Sequence, residues 1–569
     1  MEPRKPDIQS AESLRIGTKA TPKGAVRREL PLGSARSLNL SMRGNTWHGN
    51  QEIPGAPTGD GPSGRADKAK NHTAAMYVPG KSDNRVVPMK RPNNGGPGGP
   101  PAEAVEGRRL TEGNAPQTAT PRTQSRVGVS PGLMRVREVA RKDRRARFTN
   151  LLHHITVDLL RDSFDALRRE AAPGIDGVTW KQYEAILEPQ LRELHRQVHR
   201  GTYRAQPSRR TYIPKADGKM RPLGIAALED KIVQQAVATV LNQIYEEDFL
   251  GFSYGFRPGR SQHQALDALW VGLSDRKVNW VLDADIRGFF DTINHEWMLK
   301  FIEHRIADPR ILRLIRKWLR AGVSEDGQWT ETTVGTPQGA VISPLLANVY
   351  LHYVFDLWAN LWRRKHATGE VILVRYADDF VLGFQRRKDA ERFLVELKER
   401  FLKFGLAIHP DKTRLIEFGR FAVEDRAQRG QGKPETFNFL GFTHICGRTR
   451  RTKKFIVLRH TSAKRMQARL KEIRKELMFR RHRPIHELGA WLAEVLRGYY
   501  QYHAVPSNYA KLRAFRRLVR RCWYQALRRR GQRRRLTWAR FGPLADQMLP
   551  APRIVHPYPF VRFYAIHPK

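Results

Sequence analysis

One stretch, residues 372–382, constrains this chain more than any other, because it sets two adjacent carboxylates between two apolar runs. Its β-branched and aromatic residues flank Asp378 and Asp379 and predict a β-hairpin with both acids at the turn. Holding two carboxylates beside an apolar hairpin costs free energy unless a cation compensates. Mg²⁺ is the expected cation, since proteins hold it through one or two carboxylates and substrate phosphates. A solvated Asp-Asp turn is the alternative, because Asp is common in hairpin loops.

A second strand-like run, residues 280–291, ends in further acids and includes Asp285. Three acids that hold two metals suit a polymerase, which activates a 3′-hydroxyl and stabilises a leaving pyrophosphate. The boxes at 285–291, 336–344 and 376–379 stand in the order of the palm motifs of reverse transcriptases, which the chain resembles. More narrowly, it resembles a bacterial group II intron-encoded reverse transcriptase/maturase without an endonuclease domain. The resemblance covers residues 130–540.

The resemblance implies an α+β fold, namely a right-hand polymerase with fingers and palm and an α-helical thumb. Uneven alternation of strands and helices fits such a palm and not a Rossmann fold. The expected divisions are a disordered basic Gly/Pro-rich tail, the fingers and palm, a thumb/maturase-specific domain and a short basic and aromatic C-terminal tail. Their predicted bounds are 1–125, 126–445, 446–540 and 541–569.

The resemblance also implies the metal ligands. Asp285, Asp378 and Asp379 are the expected catalytic residues, with the backbone carbonyl of Ile286 as a further ligand. The expected cofactor is a pair of Mg²⁺ ions, with Mn²⁺ as a substitute. From the residues alone Asp283 and Asp291 compete with Asp285, because Asp283 lies on the same strand face.

Cations and polar side chains upstream and downstream of these acids predict a nucleotide site. An Asp217-Gly218 turn predicts a hairpin that carries Lys215, Lys219 and Arg221, and such donors suit a triphosphate. Gln338 follows a turn signal and can donate and accept hydrogen bonds. The resemblance places Phe289 under the sugar of the incoming nucleotide, where the ring would reject a 2′-hydroxyl. A core Phe and solvated hairpin charge are the alternatives.

The formal net charge of +46 favours a polyanionic partner, and nucleic acid is the first candidate. Residues 441–540 contain 29 Lys or Arg against 4 Asp or Glu. Three apolar stripes at helical spacing in this region predict a three-helix thumb with basic outer faces. The candidates for nucleic-acid contact are arginines: Arg257, Arg260, Arg497, Arg516, Arg517, Arg520, Arg521, Arg528, Arg529 and Arg530.

These features predict an RNA-directed DNA polymerase that also binds its intron RNA and assists splicing and mobility. The expected partners are group II intron RNA, an RNA template with a DNA primer, dNTPs and target DNA. The alternatives are a reverse transcriptase of a retron, diversity-generating or defence system, or an RNA-binding splicing factor with a vestigial polymerase. With no apolar run long enough to span a bilayer and only two cysteines, we expect a cytoplasmic protein, associated with the nucleoid when engaged with DNA.

Overall fold

A computed structural model gives the fold over most of the chain. The residues that it describes are 130–214, 220–325, 327–336, 338–531 and 536–566. The predicted tail at 1–125 and the two nucleotide-site candidates Lys215 and Lys219 lie outside these segments.

Helices cover the N-terminal part of the described chain. They are α1 Pro131–Lys142, α2 Val157–Asp165, α3 Trp180–Glu184, α4 Leu187–Arg200 and α5 Leu228–Asp248. From its position before the helical run at Trp180, Thr179 is expected as an N-cap, and this is confirmed, because its hydroxyl accepts from the Gln182 backbone in a capping box. The apolar run from Leu228 to Leu241 predicts a helix, which is α5 and is buried over most of its length.

A small sheet next to these helices contains the predicted fingers hairpin. Its strands are β1 Ser208–Pro214, β2 Met220–Ile225, β4 Val323–Glu325 and β5 Gln328–Thr330, in the order β2-β1-β4-β5. The hairpin is confirmed by the antiparallel pairing of β1 with β2, in which Tyr212 lies opposite Pro222. Its turn lies outside the described residues.

The palm sheet has four antiparallel strands in the order β6-β7-β3-β8. They are β3 Trp280–Ala284, β6 Val371–Tyr376, β7 Asp379–Phe384 and β8 Arg414–Glu417. Alternation buries both faces, so that Leu282 packs into one apolar core and Val281 into a second. The surrounding helices are α6 Gln262–Asp275, α7 Phe289–Thr292, α8 His295–Glu303, α9 Pro309–Arg320, α10 Ser343–Leu351, α11 Leu357–Lys365, α12 Arg387–Lys403 and α13 Ala422–Gln428.

A three-stranded sheet and a helical region follow the palm. The strands are β9 Phe437–Phe439, β10 Phe442–Arg448 and β11 Phe455–Thr461, and the helices are α14 Ala463–Phe479, α15 Ile485–His503 and α16 Tyr509–Arg528. The predicted boundary at 446 falls inside β10, because the rise in basic residues begins before the helices do. No helix among the described residues is long and apolar enough to cross a membrane.

The three predicted helices pack around one apolar core, as the stripes indicated. The third stripe, predicted to comprise Leu512, Phe515, Leu518, Cys522 and Leu527, is wrong only at Leu518. Val519 is fully buried and Leu518 is only half-buried, because the helical period passes from Phe515 to Val519 and on to Trp523.

Two packed helices lie beyond residue 536, whereas the sequence predicted only a short C-terminal tail at 541–569. Helix α17, Trp538–Met548, buries Phe541 in the core of the helical region, and α18, Pro559–Ile566, buries Phe563 against the palm. Arg562 of α18 forms an ion pair with Asp267 of α6 at 2.5 Å. The chain therefore returns from the helical region to the palm.

Candidate catalytic site

The palm sheet brings the predicted acids to one end of its central strands. In the β3–β7 pair, Ala284 lies opposite Phe380. Continuing this antiparallel register by one residue sets Asp285 opposite Asp379, and Asp378 precedes Asp379 in the β6–β7 turn. Asp285 and Asp378 are half-buried, whereas Asp379 is exposed. All three carboxylates thus stand at the same end of the sheet.

A buried arginine holds the turn that carries Asp378. Arg375 is fully buried, and its guanidinium donates to the carbonyl of Ala377 at 2.9 Å. It also donates to Asn348 Oδ1 at 3.0 Å and Ser253 Oγ at 2.7 Å, and binds both Asp356 oxygens at 2.7 and 2.6 Å. All five N–H donors are therefore used, which fixes the guanidinium in one orientation.

The turn itself has a strained backbone and a tight neighbour. Ala377 has φ 57°, a left-handed conformation that costs a non-glycine residue about 1 kcal/mol. Gly255 packs against it so closely that a Cβ at Gly255 would lie 2.2 Å from the Ala377 nitrogen. Asn348 donates to the Gly255 carbonyl at 2.7 Å and so joins both segments to Arg375. The loop at 253–257 and the catalytic turn form one packed unit.

Asp356 is the last residue of a π-helical segment. Residues 352–356 form a π-helical turn between α10 and α11, a feature frequent at functional sites. Burial raises the pKa of Asp356, and the bidentate bond from Arg375 opposes that shift.

Asp285 forms an ion pair with a lysine from the segment before β8. Lys412 Nζ lies 2.6 Å from Asp285 Oδ2, and the Asp285 side chain is 24% exposed. The backbone around Asp285 is fixed by two bonds, from His409 to the Asp285 carbonyl and from Arg287 to the Ala407 carbonyl, both 2.8 Å. The segment that contains Lys412 therefore closes one side of the site.

The competing acid Asp283 lies nearby, next to a different cation. Its carboxylate is 3.6 Å from Arg414, the residue opposite it on β8. Burial raises the pKa of Asp283 to about 6, which the nearby Asp285 charge increases and Arg414 decreases. Asp283 and Asp285 thus each have their own cation, Arg414 for the first and Lys412 for the second.

The other competing acid, Asp291, is linked to the predicted nucleotide residue Gln338. The Gln338 side-chain amide donates to Asp291 Oδ1 at 3.2 Å, and its backbone carbonyl accepts from Gly224 of β2 at 2.7 Å. Gln338 thus connects Asp291 to the sheet that contains β1 and β2. Pro337, its neighbour in the motif, lies outside the described residues.

Ile286 lies in the loop between Asp285 and α7, and Phe289 is the first residue of α7. Phe289 is 3% exposed and Ile286 is 3% exposed, and both belong to the larger apolar core. The Phe289 ring contacts that of Phe290, with centroids 5.3 Å apart. Their roles under the sugar and as a carbonyl ligand stay predictions.

The donor set fits a hard divalent cation. Within the described segments, no three acidic, histidine or cysteine side chains stand close enough together to form a ready-made metal cluster. The acids at the sheet end nevertheless supply only carboxylate oxygens, and Mg²⁺ needs only one or two of these when substrate phosphates provide further ligands. Asp285, Asp378 and Asp379 are the residues that would hold it.

The predicted nucleic-acid residues of the 253–261 loop differ in their surroundings. Arg257 is 3% exposed and forms an ion pair with Glu246 at 3.0 Å, and it also donates to two backbone carbonyls. These contacts give it a structural role within this loop. Arg260 stacks on Tyr254 at 5.6 Å, and burial lowers its pKa to about 10. Arg221, on β2, is exposed.

The arginines of the predicted thumb separate into three groups. Arg516 and Arg520 are mostly buried and form ion pairs with Asp546 of α17 at 3.0 and 3.1 Å, so they anchor the C-terminal helix. Arg528 stacks on Tyr524 at 5.6 Å, and Arg530 donates to the Arg483 carbonyl. The remaining predicted contacts are exposed: Arg497, Arg517, Arg521 and Arg529.

Sequence reasoning missed three residues of the site. Arg375 lies within residues 372–382 without a predicted role, and Asp356 lies in a stretch without any motif. Lys412 lies within the region that resembles reverse transcriptases. Its ion pair with Asp285 was not predictable, because the two residues are 127 positions apart. A charged residue inside an apolar strand was the available signal for Arg375, because such a side chain needs a buried partner.

Comparison with known proteins agrees with this geometry. A family described as "Reverse transcriptase (RNA-dependent DNA polymerase)" matches residues 213–444. Protein YkfC of Escherichia coli is 39% identical over 296 residues, which are 46% of this chain and 78% of YkfC. The group II intron-encoded protein LtrA of Lactococcus lactis is 38% identical over 207 residues, 36% of this chain and 34% of LtrA.

A 91 kDa protein in the cob intron of Schizosaccharomyces pombe is 42% identical over 189 residues. That match spans 32% of this chain and 23% of the fission yeast protein, so the chain covers about a third or less of its intron-encoded relatives. The match over most of YkfC, the matched reverse transcriptase region and the intron-encoded relatives agree on one assignment. The chain belongs to the family of group II intron-encoded reverse transcriptases and maturases.

Proposed function

We propose that this chain is an RNA-directed DNA polymerase whose metal ligands are Asp285, Asp378 and Asp379. The observation that carries the proposal is the β3–β7 register, which sets Asp285 opposite Asp379 at one end of the palm sheet. Two Mg²⁺ ions, when bound, would activate the 3′-hydroxyl and neutralise charge on the leaving pyrophosphate. The protein contributes positioning and electrostatics, as in other phosphoryl transfers.

The surrounding residues fix where the carboxylates stand. Arg375 orients the turn through the Ala377 carbonyl, and its own position is fixed by Asp356. Lys412 balances the charge of Asp285, which lowers the cost of holding three acids together. Such preorganisation matters, since reacting groups misplaced by about 1 Å can cost roughly 100-fold in rate.

The incoming substrate is a dNTP in this proposal. Arg221 on the exposed hairpin, together with Lys215 and Lys219 from its turn, would bind the triphosphate. Gln338 joins that fingers sheet to the palm through Gly224 and Asp291. Phe289, four residues after Asp285, would select the deoxyribose.

The chain also assists splicing and mobility of its intron RNA in this proposal. The supporting observations are the exposed arginines of the thumb and the intron-encoded relatives. Sequence-independent phosphate contacts give tight, salt-sensitive RNA binding. An RNA template with a DNA primer, and target DNA, complete the proposed set of partners.

Comparing two neighbouring acids tests the ligand assignment. Asp285→Asn should abolish primer extension on an RNA template, whereas Asp283→Asn should retain most of it, because Asp283 is paired with Arg414 on the neighbouring strand β8. Extension rates and circular dichroism of both variants give the answer. Loss of extension in Asp283→Asn with normal activity in Asp285→Asn would assign the metal to Asp283 instead.

A further inference from the structure

Strands β10 and β11 form a long hairpin whose tip is strongly basic. We call this hairpin, residues 442–461, the basic arm. Its strands pair over seven residues, from Phe442 opposite Thr461 to Arg448 opposite Phe455. The tip, residues 448–454, contains five cations in seven residues. Arg448 forms an ion pair with Glu424 of α13.

The other four cations project into solvent. Arg450, Arg451, Lys453 and Lys454 are exposed, and none of them forms an ion pair within the described part of the chain. Grouping four like charges at one turn is electrostatically unfavourable, because exposed charges within about 10 Å repel each other. A polyanion that binds there would relieve this repulsion.

The tip is held in a single conformation. Thr449 donates its backbone N–H to the Lys454 carbonyl at 2.9 Å and accepts from the Lys453 N–H at 3.1 Å. Its hydroxyl bonds with that of Thr452 at 2.6 Å and accepts from the Lys454 N–H at 3.1 Å. Lys453 takes a left-handed φ of 55°, a strain of the kind found at functional sites. The cations are therefore preorganised.

The base of the arm is anchored in the palm. Arg459 is 1% exposed and binds Asp267 of α6 at 3.0 Å, and Trp270 donates to the Val457 carbonyl at 2.7 Å. These contacts fix β11 against α6, so a ligand at the tip meets a rigid support. Rigidity reduces the entropy lost on binding.

The arm leaves the palm at the end remote from the catalytic acids. Arg414, at the start of β8, lies beside Asp283, whereas Gly419 has its N–H bonded to Cys446 of the arm. Five extended residues between Arg414 and Gly419 span about 17 Å. The tip begins two residues beyond Cys446, so it does not line the site of catalysis.

We propose that the tip of the basic arm binds the phosphate backbone of a folded RNA, at a surface separate from the catalytic end. This inference rests on the proposed function, which already requires a folded intron RNA larger than the polymerase cleft. Duplex DNA is a less suitable partner, since primer and target DNA are needed at the catalytic end. Four exposed cations on one turn can neutralise several phosphates at once, which favours a polyanionic backbone as the ligand.

Salt-dependent RNA binding by the full chain tests the proposal, with a 30-base-pair RNA hairpin, a duplex DNA of the same length and a short RNA template–DNA primer as probes. The arm variant replaces the four exposed tip cations, with Asn at the left-handed position, which tolerates it. Its substitutions are Arg450→Gln, Arg451→Gln, Lys453→Asn and Lys454→Gln. The control removes four exposed lysines from α11 and α12. Its substitutions are Lys365→Gln, Lys388→Gln, Lys398→Gln and Lys403→Gln.

The arm variant should bind the RNA hairpin at least roughly 10-fold more weakly at low salt, and its log Kd against log salt slope should fall by about 2–3. The control should change the slope by less than about 1. Primer extension on the preformed template–primer should equal that of the wild type in both.

Equal salt slopes of RNA-hairpin binding for the arm variant and the control would overturn the proposal. A loss of affinity confined to the DNA duplex or to the template–primer would overturn it as well. Wild-type primer extension by the arm variant separates these outcomes from a failure of the proposed polymerase activity.

Discussion

Arg375 donates a hydrogen bond to the carbonyl of Ala377 at 2.9 Å and so links a fully buried ion pair to the turn that carries Asp378. Ala377 directly precedes Asp378, so a shift of the Arg375 guanidinium would be passed on to the backbone of Asp378. This hydrogen bond also explains why a charged residue occupies an apolar strand. The Arg375 guanidinium fixes the turn, and the Asp356 carboxylate compensates its charge.

Removal of Asp356 should destabilise the palm strongly. Asp356→Ala leaves the Arg375 charge buried without its partner, which typically costs about 3–5 kcal/mol. Chemical denaturation followed by tryptophan fluorescence measures the effect. Glu391→Ala is the matched control, because it breaks an exposed helical pair with Arg387 that is worth about 0.3–0.5 kcal/mol. Similar midpoints for the two variants would contradict the structural role of the buried pair.

Gly255→Ala should impair catalysis through the turn. The added Cβ would meet the Ala377 nitrogen at 2.2 Å, and backbone atoms cannot move aside as a side chain can. We expect primer extension to fall by roughly 100-fold while the affinity for template–primer changes little. Gly432→Ala adds the same methyl group where no atom lies within 4 Å and should behave as wild type. Equal extension rates in both variants would show that the loop tolerates the displacement.

Lys412→Gln should alter the metal dependence of extension. Lys412 competes for the Asp285 oxygen that the proposal assigns to Mg²⁺. An ion pair of this exposure is worth about 1 kcal/mol at most, so the Mg²⁺ concentration for half-maximal extension should fall by up to about fivefold. Lys403→Gln, an exposed lysine on α12, serves as the control. A half-maximal concentration that stays constant or rises would argue against this competition.

Phe289→Ala should weaken discrimination between dNTP and rNTP by roughly 10-fold or more, because about 1.4 kcal/mol is a factor of ten. The variant will also lose stability, since truncating a buried Phe costs about 3–5 kcal/mol. Phe393→Ala removes an equally buried ring from the same core, on α12. Selectivity must therefore be compared between these two variants below their unfolding temperatures. The same selectivity in both would assign Phe289 to the core alone.

Replacement of the exposed thumb arginines should flatten the salt dependence of RNA binding. Changing Arg517, Arg521 and Arg529 to Gln should lower the slope by about 2, at 0.7–0.9 for each phosphate contact, and should weaken assisted splicing at low Mg²⁺. Changing Arg516 and Arg520 instead should mainly loosen α17 from the thumb, because both bind Asp546. Thermal unfolding and RNA titrations of the two variants separate these effects. An unchanged slope in the first variant would make its arginines a solvated surface.

Local patterns predicted individual helices and hairpins well, because the signals for these elements are local. The hairpin around Asp378, the capping box at Thr179 and the β1–β2 pairing depend on residues a few positions apart. The partners of Arg375 were not predictable in this way, since Ser253 lies 122 residues away and Asp356 is placed by a π-helical turn that has no sequence signature. The roles of Arg516 and Arg520 were not predictable for the same reason. The sequence shows only a basic helix face, and their partner Asp546 lies on a separate helix that packs against it.

Primer extension by Asp378→Asn tests the central claim most directly. The substitution removes one negative charge and keeps the shape of the side chain, so folding and RNA affinity should stay close to wild type. Asp411→Asn, an acid with an 89% exposed side chain near the site, is the matched control. With an RNA template, a DNA primer, dNTPs and Mg²⁺, we predict no detectable extension by Asp378→Asn and normal extension by Asp411→Asn. Extension by Asp378→Asn at a rate near that of the wild type would contradict the account.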